Sequence, residues 1–184
     1  MVGHPPGTDS HAAIDRIGDM SDQTPHPDAV RESVWDYPRP PAVVPSERLV
    51  KVEHGGTVVA ESRRALRVLE TAGAPVWYLP PEDVRMRLLR PAATRGTVCE
   101  WKGTAAHYDL IVGDRISRQV AWTYPDPHPG YGAIAGYLAF YAARVESATV
   151  DGEQVRPQPG GFYGGWITDD VVGPFKGSPG TEGW

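Results

Sequence analysis

The chain has 184 residues, a formal net charge of −5, one cysteine, 19 prolines and 21 glycines. The negative charge and the scattered lysines and arginines argue against nucleic-acid binding, which needs clustered cations. A single cysteine excludes an internal disulfide and a CxxC zinc site. No signal segment begins the chain and no apolar run reaches the roughly 18 residues of a membrane span, so we expect a cytoplasmic protein without a membrane partner.

Residues 1–33 mix Gly, Pro, His, Asp and Ser with few large apolar side chains. Such a segment buries too little apolar surface to offset the entropy lost on ordering, so it is predicted to be a disordered leader. No carboxylate or thiolate companions accompany its three histidines in a metal-binding pattern, and no metal is expected there. These histidines are His4, His11 and His26.

Residues 34–184 are predicted to form a single β domain. It begins with residues 34–41, where three prolines favour an extended backbone that cannot donate to a sheet. This segment is predicted to lie over the domain as a strap, with Trp35 and Tyr37 as its anchors.

The next residues carry the clearest strand pattern. Residues 49–54 alternate between apolar and polar side chains, and a Gly-Gly turn at 55–56 joins them to residues 57–61, which predicts a β-hairpin. Residues 65–70 fit either a short helix or a half-buried strand, and we favour the strand. Residues 76–79 predict another strand.

The middle of the chain holds one predicted helix and two long strands. Proline and acidic residues at 80–83 favour the start of a short helix over residues 84–89. Residues 97–112 predict a strand, a break at Gly103 and a second strand, and residues 115–124 predict the strand that returns beside it.

The C-terminal third begins with an apolar run at 134–141 and a predicted last strand within 142–151. Residues 154–184 are rich in Gly and Pro but keep five large aromatic side chains, so we expect this tail to wrap the domain. Seven or eight short strands with one small helix predict a mainly antiparallel β domain.

Motifs for common chemistries are missing. The glycine-rich residues 160–165 lack the spacing and the following Lys-Ser/Thr of a phosphate loop, and neither HExxH nor a nucleophile elbow occurs. No cofactor is therefore expected.

What remains is a set of aromatic residues: Trp77, Tyr78, Trp101, Tyr108, Trp122, Tyr124, Phe140 and Tyr141. Such rings either fill a core or line a pocket that stacks on a flat or cationic ligand, and Trp122 and Tyr124, two residues apart, share one face of their strand.

Four polar residues accompany the aromatic set: Glu70, Glu100, Lys102 and His107. A lysine beside a tryptophan at a strand break can hold an anionic group, and Glu70 can pair with it. If Lys102 is buried, it is a candidate base or nucleophile; alternatively, its ammonium group reaches bulk water. Cys99 has no adjacent cation and is expected to behave as a small buried hydrophobe.

Several short motifs occur in order along most of the chain. They are VWDYPRPP at 34–41, VLET at 68–71, YLPPEDV at 78–84, CEWKG at 99–103, WTYP at 122–125, AFY at 139–141, GFYGGW at 161–166 and GPFKG at 173–177. Together they resemble the domain-of-unknown-function family number 427, which is largely bacterial and fungal. The resemblance covers about residues 34–184.

This resemblance implies an Mss4-like, or β-tent, architecture, in which two small antiparallel sheets meet at an angle and one or two short helices are present. Relatives of this architecture often hold zinc with paired CxxC motifs, which one cysteine does not allow. Others hold a cyclic ligand in a tryptophan cage or reduce oxidised methionine. The family has also carried a nucleotidyltransferase label, for which the sequence shows neither a phosphate loop nor paired metal carboxylates.

We therefore expect a domain that binds an unidentified small molecule in an aromatic pocket. The predicted ligand-binding residues are Tyr78, Trp101, Trp122 and Tyr124, with Lys102 and Glu70 as polar contacts. One alternative is an enzyme of unknown reaction in the same pocket, with Lys102 or Glu70 as acid or base, or Cys99 as nucleophile. Another is a self-associating module that forms a homodimer through the strap and the tail.

Overall fold

The computed structural model describes residues 1–3 and 31–184. Most of the predicted disordered leader, including His4, His11 and His26, lies outside the described residues and stays a prediction.

The described residues form sixteen short strands. In chain order these are β1 (Glu32–Ser33), β2 (Ala42–Ser46), β3 (Val50–His54), β4 (Thr57–Ser62), β5 (Ala65–Leu69), β6 (Val76–Leu79), β7 (Leu89–Pro91), β8 (Thr97–Cys99), β9 (Gly103–Val112), β10 (Arg115–Thr123), β11 (Leu138–Phe140), β12 (Ser147–Val150), β13 (Glu153–Gln154), β14 (Arg156–Pro157), β15 (Trp166–Ile167) and β16 (Val171–Val172). The helical segments in this part of the chain are 3-10 turns: Pro81–Asp83, Met86–Leu88, Gly132–Ile134 and Ala142–Arg144. None of them is long and apolar enough to cross a membrane.

Two sheets make up most of the domain. The larger has eight strands in the order β2-β5-β6-β11-β10-β9-β7, with β8 pairing to β9, and the smaller has the order β13-β12-β3-β4. All of these pairs are antiparallel. The short pairs β1–β16, which is parallel, and β14–β15 complete the fold. The predicted mainly antiparallel β class is confirmed.

The alternation of side chains along the central strands separates two faces of the larger sheet. On β6, Trp77 and Leu79 join a buried core that also contains Val50 and Val52 of the smaller sheet. We call this the inter-sheet core. Tyr78, between Trp77 and Leu79, points to the other face.

That opposite face carries a second buried cluster, which we call the aromatic cluster. Its buried members are Val68, Tyr78, Ala105, Trp122, Tyr124, Tyr131, Ile134 and Ala139. The half-buried side chains of Cys99, Trp101 and Tyr141 pack against it. The predicted aromatic set is thus divided, because Trp77, Tyr108 and Phe140 belong to the inter-sheet core.

The predicted hairpin is confirmed as β3 and β4. Gly55 and Gly56 have positive φ angles of 57° and 67°, which the tight connection requires and glycine adopts without strain. β5 covers Ala65–Leu69 of the predicted segment 65–70, so the strand that we favoured there is correct. The stretch 97–112 forms β8, a turn and β9, as predicted.

The helix predicted over residues 84–89 is wrong. Val84 is buried and bridges Ala60, and Leu89 begins β7 opposite Leu110, so the segment is held in two 3-10 turns by its neighbours. A helix of six residues is marginal by itself, and sheet contacts outweigh its capping signals.

The expected last strand within 142–151 is shorter than predicted and is not the last. It covers Ser147–Val150, and a 3-10 turn occupies Ala142–Arg144. Four more short strands follow it: β13 pairs with β12, β14 pairs with β15 within the tail, and β16 pairs with distant β1.

The strap and the tail meet at one end of the domain. Trp35 donates a hydrogen bond from Nε1 to the carbonyl of Pro174 (3.0 Å), and its ring lies 5.1 Å from that of Trp184. Tyr37 is buried and donates from its hydroxyl to Glu32 (2.6 Å). Burial and the neighbouring carboxylate raise the pKa of Tyr37, so this hydroxyl keeps its proton. The two predicted anchors therefore join the strap to the tail and to β1.

Candidate functional site

The aromatic cluster does not fill its face of the sheet completely. It borders a cavity of about 190 Å³. All of the residues predicted from the sequence for ligand binding or catalysis line this cavity: Glu70, Tyr78, Cys99, Trp101, Lys102, Trp122 and Tyr124. The fold therefore brings together side chains that lie up to 54 positions apart in the chain.

The register of three adjacent strands builds the aromatic wall. Ala139 on β11 lies opposite Tyr78 on β6 and opposite Trp122 on β10. Because alanine is small, the two large side chains meet across it. Trp122 donates from Nε1 to the hydroxyl of Tyr78 at 3.2 Å, and the rings meet edge to face with centroids 6.2 Å apart.

Two more tyrosines extend this wall. Tyr124 follows Trp122 by two residues, as the predicted shared face requires, and its ring lies 6.4 Å from that of Tyr78. The ring of Tyr141 lies 4.5 Å from that of Trp122. Burial raises the pKa of both Tyr78 and Tyr124, with a further contribution to Tyr124 from neighbouring Cys99. Their phenols therefore stay protonated and remain hydrogen-bond donors.

The turn between β8 and β9 brings Trp101 and Lys102 to the cavity. Gly103 ends this turn with a φ of +96°, a conformation that glycine adopts without strain. The amide of His128 donates to the carbonyl of Lys102 at 3.1 Å, which fixes the backbone there. Trp101 is half-buried, and its Nε1 has no hydrogen-bond partner within the described chain.

Three charged groups lie together at the cavity. Glu70 accepts a hydrogen bond from Lys176 Nζ at 2.6 Å, and its other oxygen lies 3.9 Å from Lys102 Nζ. Lys102 is 7% exposed and Lys176 is 9% exposed. The side chain of Lys102 is therefore largely buried, and the close partner of Glu70 is Lys176.

Paired glycines of the tail form the wall across from the sheet. A Cβ on Gly164 would lie 2.0 Å from Cη2 of Trp122, so the backbone packs directly on the indole. A Cβ on Gly165 would lie 2.2 Å from Oε1 of Gln158. Buried Gln158 accepts from the amide of Ala74 (2.9 Å) and donates to the carbonyl of Lys176 (3.0 Å), which ties the tail to the cavity.

The two other polar candidates have different environments. His107 on β9 lines the cavity and is buried, and its Nδ1 lacks a hydrogen-bond partner among residues 31–184. Burial lowers the pKa of His107, and Arg144 lowers it further, so the imidazole is neutral near pH 7. Glu100 is exposed at the rim and lies 3.4 Å from Arg39. Cys99 is half-buried and lines the cavity without a charged partner.

Sequence reasoning did not assign four of the residues at the cavity: Gln158, Tyr163, Lys176 and Tyr141. The first three belong to the tail, whose path depends on tertiary contacts. Tyr163 and Lys176 lie within the GFYGGW and GPFKG motifs, whose glycines beside aromatic residues indicate close backbone packing, whereas Gln158 lies in neither motif. Tyr141 was recognised as part of the aromatic set but not as a site residue.

The site has no evident metal ligands in the described ranges. No three His, Cys, Asp or Glu side chains of residues 1–3 and 31–184 form a group that could hold a metal ion. The chemistry of the cavity is that of stacking rings, phenol hydroxyls and two ammonium groups around one carboxylate.

Comparison with known proteins identifies the family. The model of the domain of unknown function DUF427 matches residues 42–151, which include most of the aromatic wall and Lys102. No curated protein matches the chain significantly. The match spans more than half of the chain, and we conclude that the chain belongs to the DUF427 family.

Proposed function

We propose that this protein binds a small molecule that contains a flat ring, in the cavity beside the aromatic cluster. The observation that carries the proposal is the packing of Tyr78, Trp122 and Tyr124. The ring of Tyr78 meets that of Trp122 edge to face and that of Tyr124 at a tilt, and a cavity of about 190 Å³ lies beside them. A concave, mostly apolar site with a few convergent polar groups is the usual form of a ligand pocket.

The walls suit a ring between two flat surfaces. Trp122 is covered on one side by the backbone at Gly164, which holds the indole in place. Half-buried Trp101 also lies at the cavity. Each aromatic contact of this kind contributes about 0.5–1.5 kcal/mol beyond the area that it buries. Lys102 is the polar contact of the ligand, and Glu70 is the carboxylate beside it.

The test is isothermal titration calorimetry with three phenyl probes of similar size: benzamide, benzoate and phenyl phosphate. We expect at least one of them to bind, and we expect Trp101→Ala to reduce the affinity for that probe at least tenfold. Trp35→Ala is the matched control, because Trp35 is an exposed tryptophan away from the cavity, and it leaves the affinity within twofold.

Two outcomes overturn the proposal. One is that no probe binds at millimolar concentration. The other is that Trp101→Ala folds, as judged by its thermal unfolding transition, and binds the probe as tightly as the wild type does. If Trp101→Ala does not fold, Trp101→Phe keeps a ring at this position and tests the same contact by a smaller loss of affinity.

We also propose that the two larger sheets are those of an Mss4-like, or β-tent, architecture. This is supported by the family resemblance and by the inter-sheet core that both sheets share. A crystal structure tests the proposal by the angle between the sheets. Sheets aligned face to face as in a β-sandwich, instead of meeting at a wide angle, would overturn it.

A further inference from the structure

The charged groups at the cavity are unequal in number. Lys102 and Lys176 are both buried cations, and Glu70 is the carboxylate between them. Two ammonium groups and one carboxylate leave one positive charge on side chains that are largely buried. A buried charge is costly unless it is paired and hydrogen-bonded.

The two lysines differ in how well they are satisfied. Lys176 Nζ donates to Glu70 at 2.6 Å and lies 5.0 Å from the centre of the Tyr163 ring. Lys102 Nζ has three donor hydrogens but makes no hydrogen bond with any residue that the structure describes, and its nearest carboxylate oxygen is 3.9 Å away. Lys102 is therefore the group with unused donors, and it lines the cavity.

Neighbouring groups do not cancel this charge. The lowered pKa of His107 keeps its imidazole neutral near pH 7. Glu100 is exposed at the rim, beside Arg39. The guanidinium of Arg144 lies 4.0 Å from the ring of Tyr141 and adds positive charge near the aromatic wall. The buried charged groups at the cavity therefore sum to one positive charge.

We propose that the ligand is a small ring compound with one oxyanion, a carboxylate or a phosphate monoester, whose oxygens accept hydrogen bonds from Lys102 Nζ while its ring lies against Trp101 and Trp122. This inference rests on the proposed function and adds the chemical class of the ligand. An oxyanion completes the hydrogen bonds of Lys102 and neutralises the excess charge.

The same geometry disfavours a cationic ligand. Aromatic rings alone attract cations, and a cage without lysines would suit a quaternary ammonium group. Here two ammonium groups lie at the same cavity, and like charges in a site with little water repel each other strongly. Glu70 reduces this repulsion, but its single negative charge faces two positive charges, so a net positive charge remains.

The experiment compares benzoate and phenyl phosphate with benzamide, which has the size and shape of benzoate without its charge. We expect wild-type protein to bind the better oxyanion at least tenfold more tightly than benzamide in isothermal titration calorimetry at low salt. Which of the two oxyanions binds better then distinguishes a carboxylate ligand from a phosphate ligand. Lys102→Met, which keeps the length of the side chain, is expected to reduce the preference over benzamide to less than threefold.

Lys51→Met is the matched control, since Lys51 pairs with Glu53 at the surface, away from the cavity, and it keeps the wild-type preference. Benzamide binding as tightly as both oxyanions in the wild type overturns the inference and leaves the proposed function standing. Binding of no probe overturns both. A tenfold preference that persists in folded Lys102→Met also overturns the role of Lys102. If Lys102→Met does not fold, Lys102→Gln replaces it, and the wild-type comparison remains decisive.

Discussion

At the scale of single residues, the cavity depends on Glu70. Its carboxylate follows directly after β5 and faces the ammonium groups of two largely buried lysines, one at hydrogen-bond distance and one at 3.9 Å. Without it, Lys102 and Lys176 would repel each other in a site with little water. Glu70 thus stabilises the fold, and it also determines the net positive charge that an anionic ligand meets beside Lys102.

Glu70→Gln is expected to lower the free energy of unfolding by about 2–3 kcal/mol, because it removes a charged hydrogen bond and leaves Lys176 buried without its partner. Chemical denaturation measures this change. Glu53→Gln is the control: it breaks the more exposed pair with Lys51 (2.9 Å) and is expected to cost less than about 1 kcal/mol. Equal effects of the two substitutions would show that the group around Glu70 is solvated.

His107 is expected to make stability depend on pH. Its pKa is lowered in the folded state, mainly by burial, whereas the unfolded chain has the ordinary value of about 6.5. The unfolded state therefore binds more protons below this pH, and stability falls as the pH is lowered through about 6.5, with a slope of at most about 1.4 kcal/mol per pH unit.

Denaturation between pH 7.5 and 5.5, above the ordinary pKa of carboxylates, measures this slope. His107→Gln is expected to reduce it, and His128→Gln, which replaces an exposed histidine, is expected to leave it unchanged. A slope that His107→Gln does not alter would assign the pH dependence to other groups.

At the scale of elements, the cavity lies between a sheet and a glycine-rich segment. Adjacent strands β6, β11 and β10 place Tyr78, Ala139 and Trp122 in one row. The tail covers this row with Gly164 in direct contact with the indole. The shape of the cavity therefore depends on one small residue in the middle strand and on the absence of a side chain in the tail.

Gly164→Ala is expected to destabilise the protein by about 1–3 kcal/mol, because its methyl group needs space that the ring of Trp122 occupies. Thermal denaturation measures the loss, and a shift in tryptophan fluorescence reports a displaced indole. Gly132→Ala is the control, since a Cβ added there would meet no atom within 4 Å and the φ of Gly132 is not positive; its effect is expected to stay within about 0.5 kcal/mol. A neutral Gly164→Ala would mean that the tail does not pack tightly on Trp122.

At the scale of the whole molecule, the tail is a structural part of the domain. Trp166 is 1% exposed in the inter-sheet core and donates from Nε1 to the carbonyl of Phe140 at 2.8 Å. Val171–Val172 pairs with Glu32–Ser33, which joins the two ends of the described domain. The strap and the tail use these aromatic and backbone groups within one chain. Self-association through them remains a proposal that size-exclusion chromatography tests.

Trp166→Ala is expected to lower the free energy of unfolding by about 3–5 kcal/mol through the cavity that it leaves in the core. Trp184→Ala, in the same tail, removes an indole that is 43% exposed and pairs with Trp35, and it is expected to cost about 1 kcal/mol. Denaturant titration compares the two variants. Similar small losses for both would mean that the tail contributes little to the core.

The sequence by itself determined the class of the fold and most of the strands between 49 and 124. Alternating side chains and glycine turns are local signals, so the hairpin at 55–56, β5, β6 and the pair β9–β10 could all be read from neighbouring residues. The predicted helix over 84–89 failed because its local signals are weaker than the sheet contacts of Val84 and Leu89.

Only the tertiary structure decided which aromatic rings form the core and which border the cavity. Trp77 and Tyr78 are adjacent in sequence and lie on opposite faces of one sheet, and which face holds the second sheet depends on contacts between distant strands. The pairing of Glu70 with Lys176 across 106 positions has the same cause. Local patterns determine which side chains of a strand share a face, but long-range packing determines whether that face contacts the second sheet or the cavity.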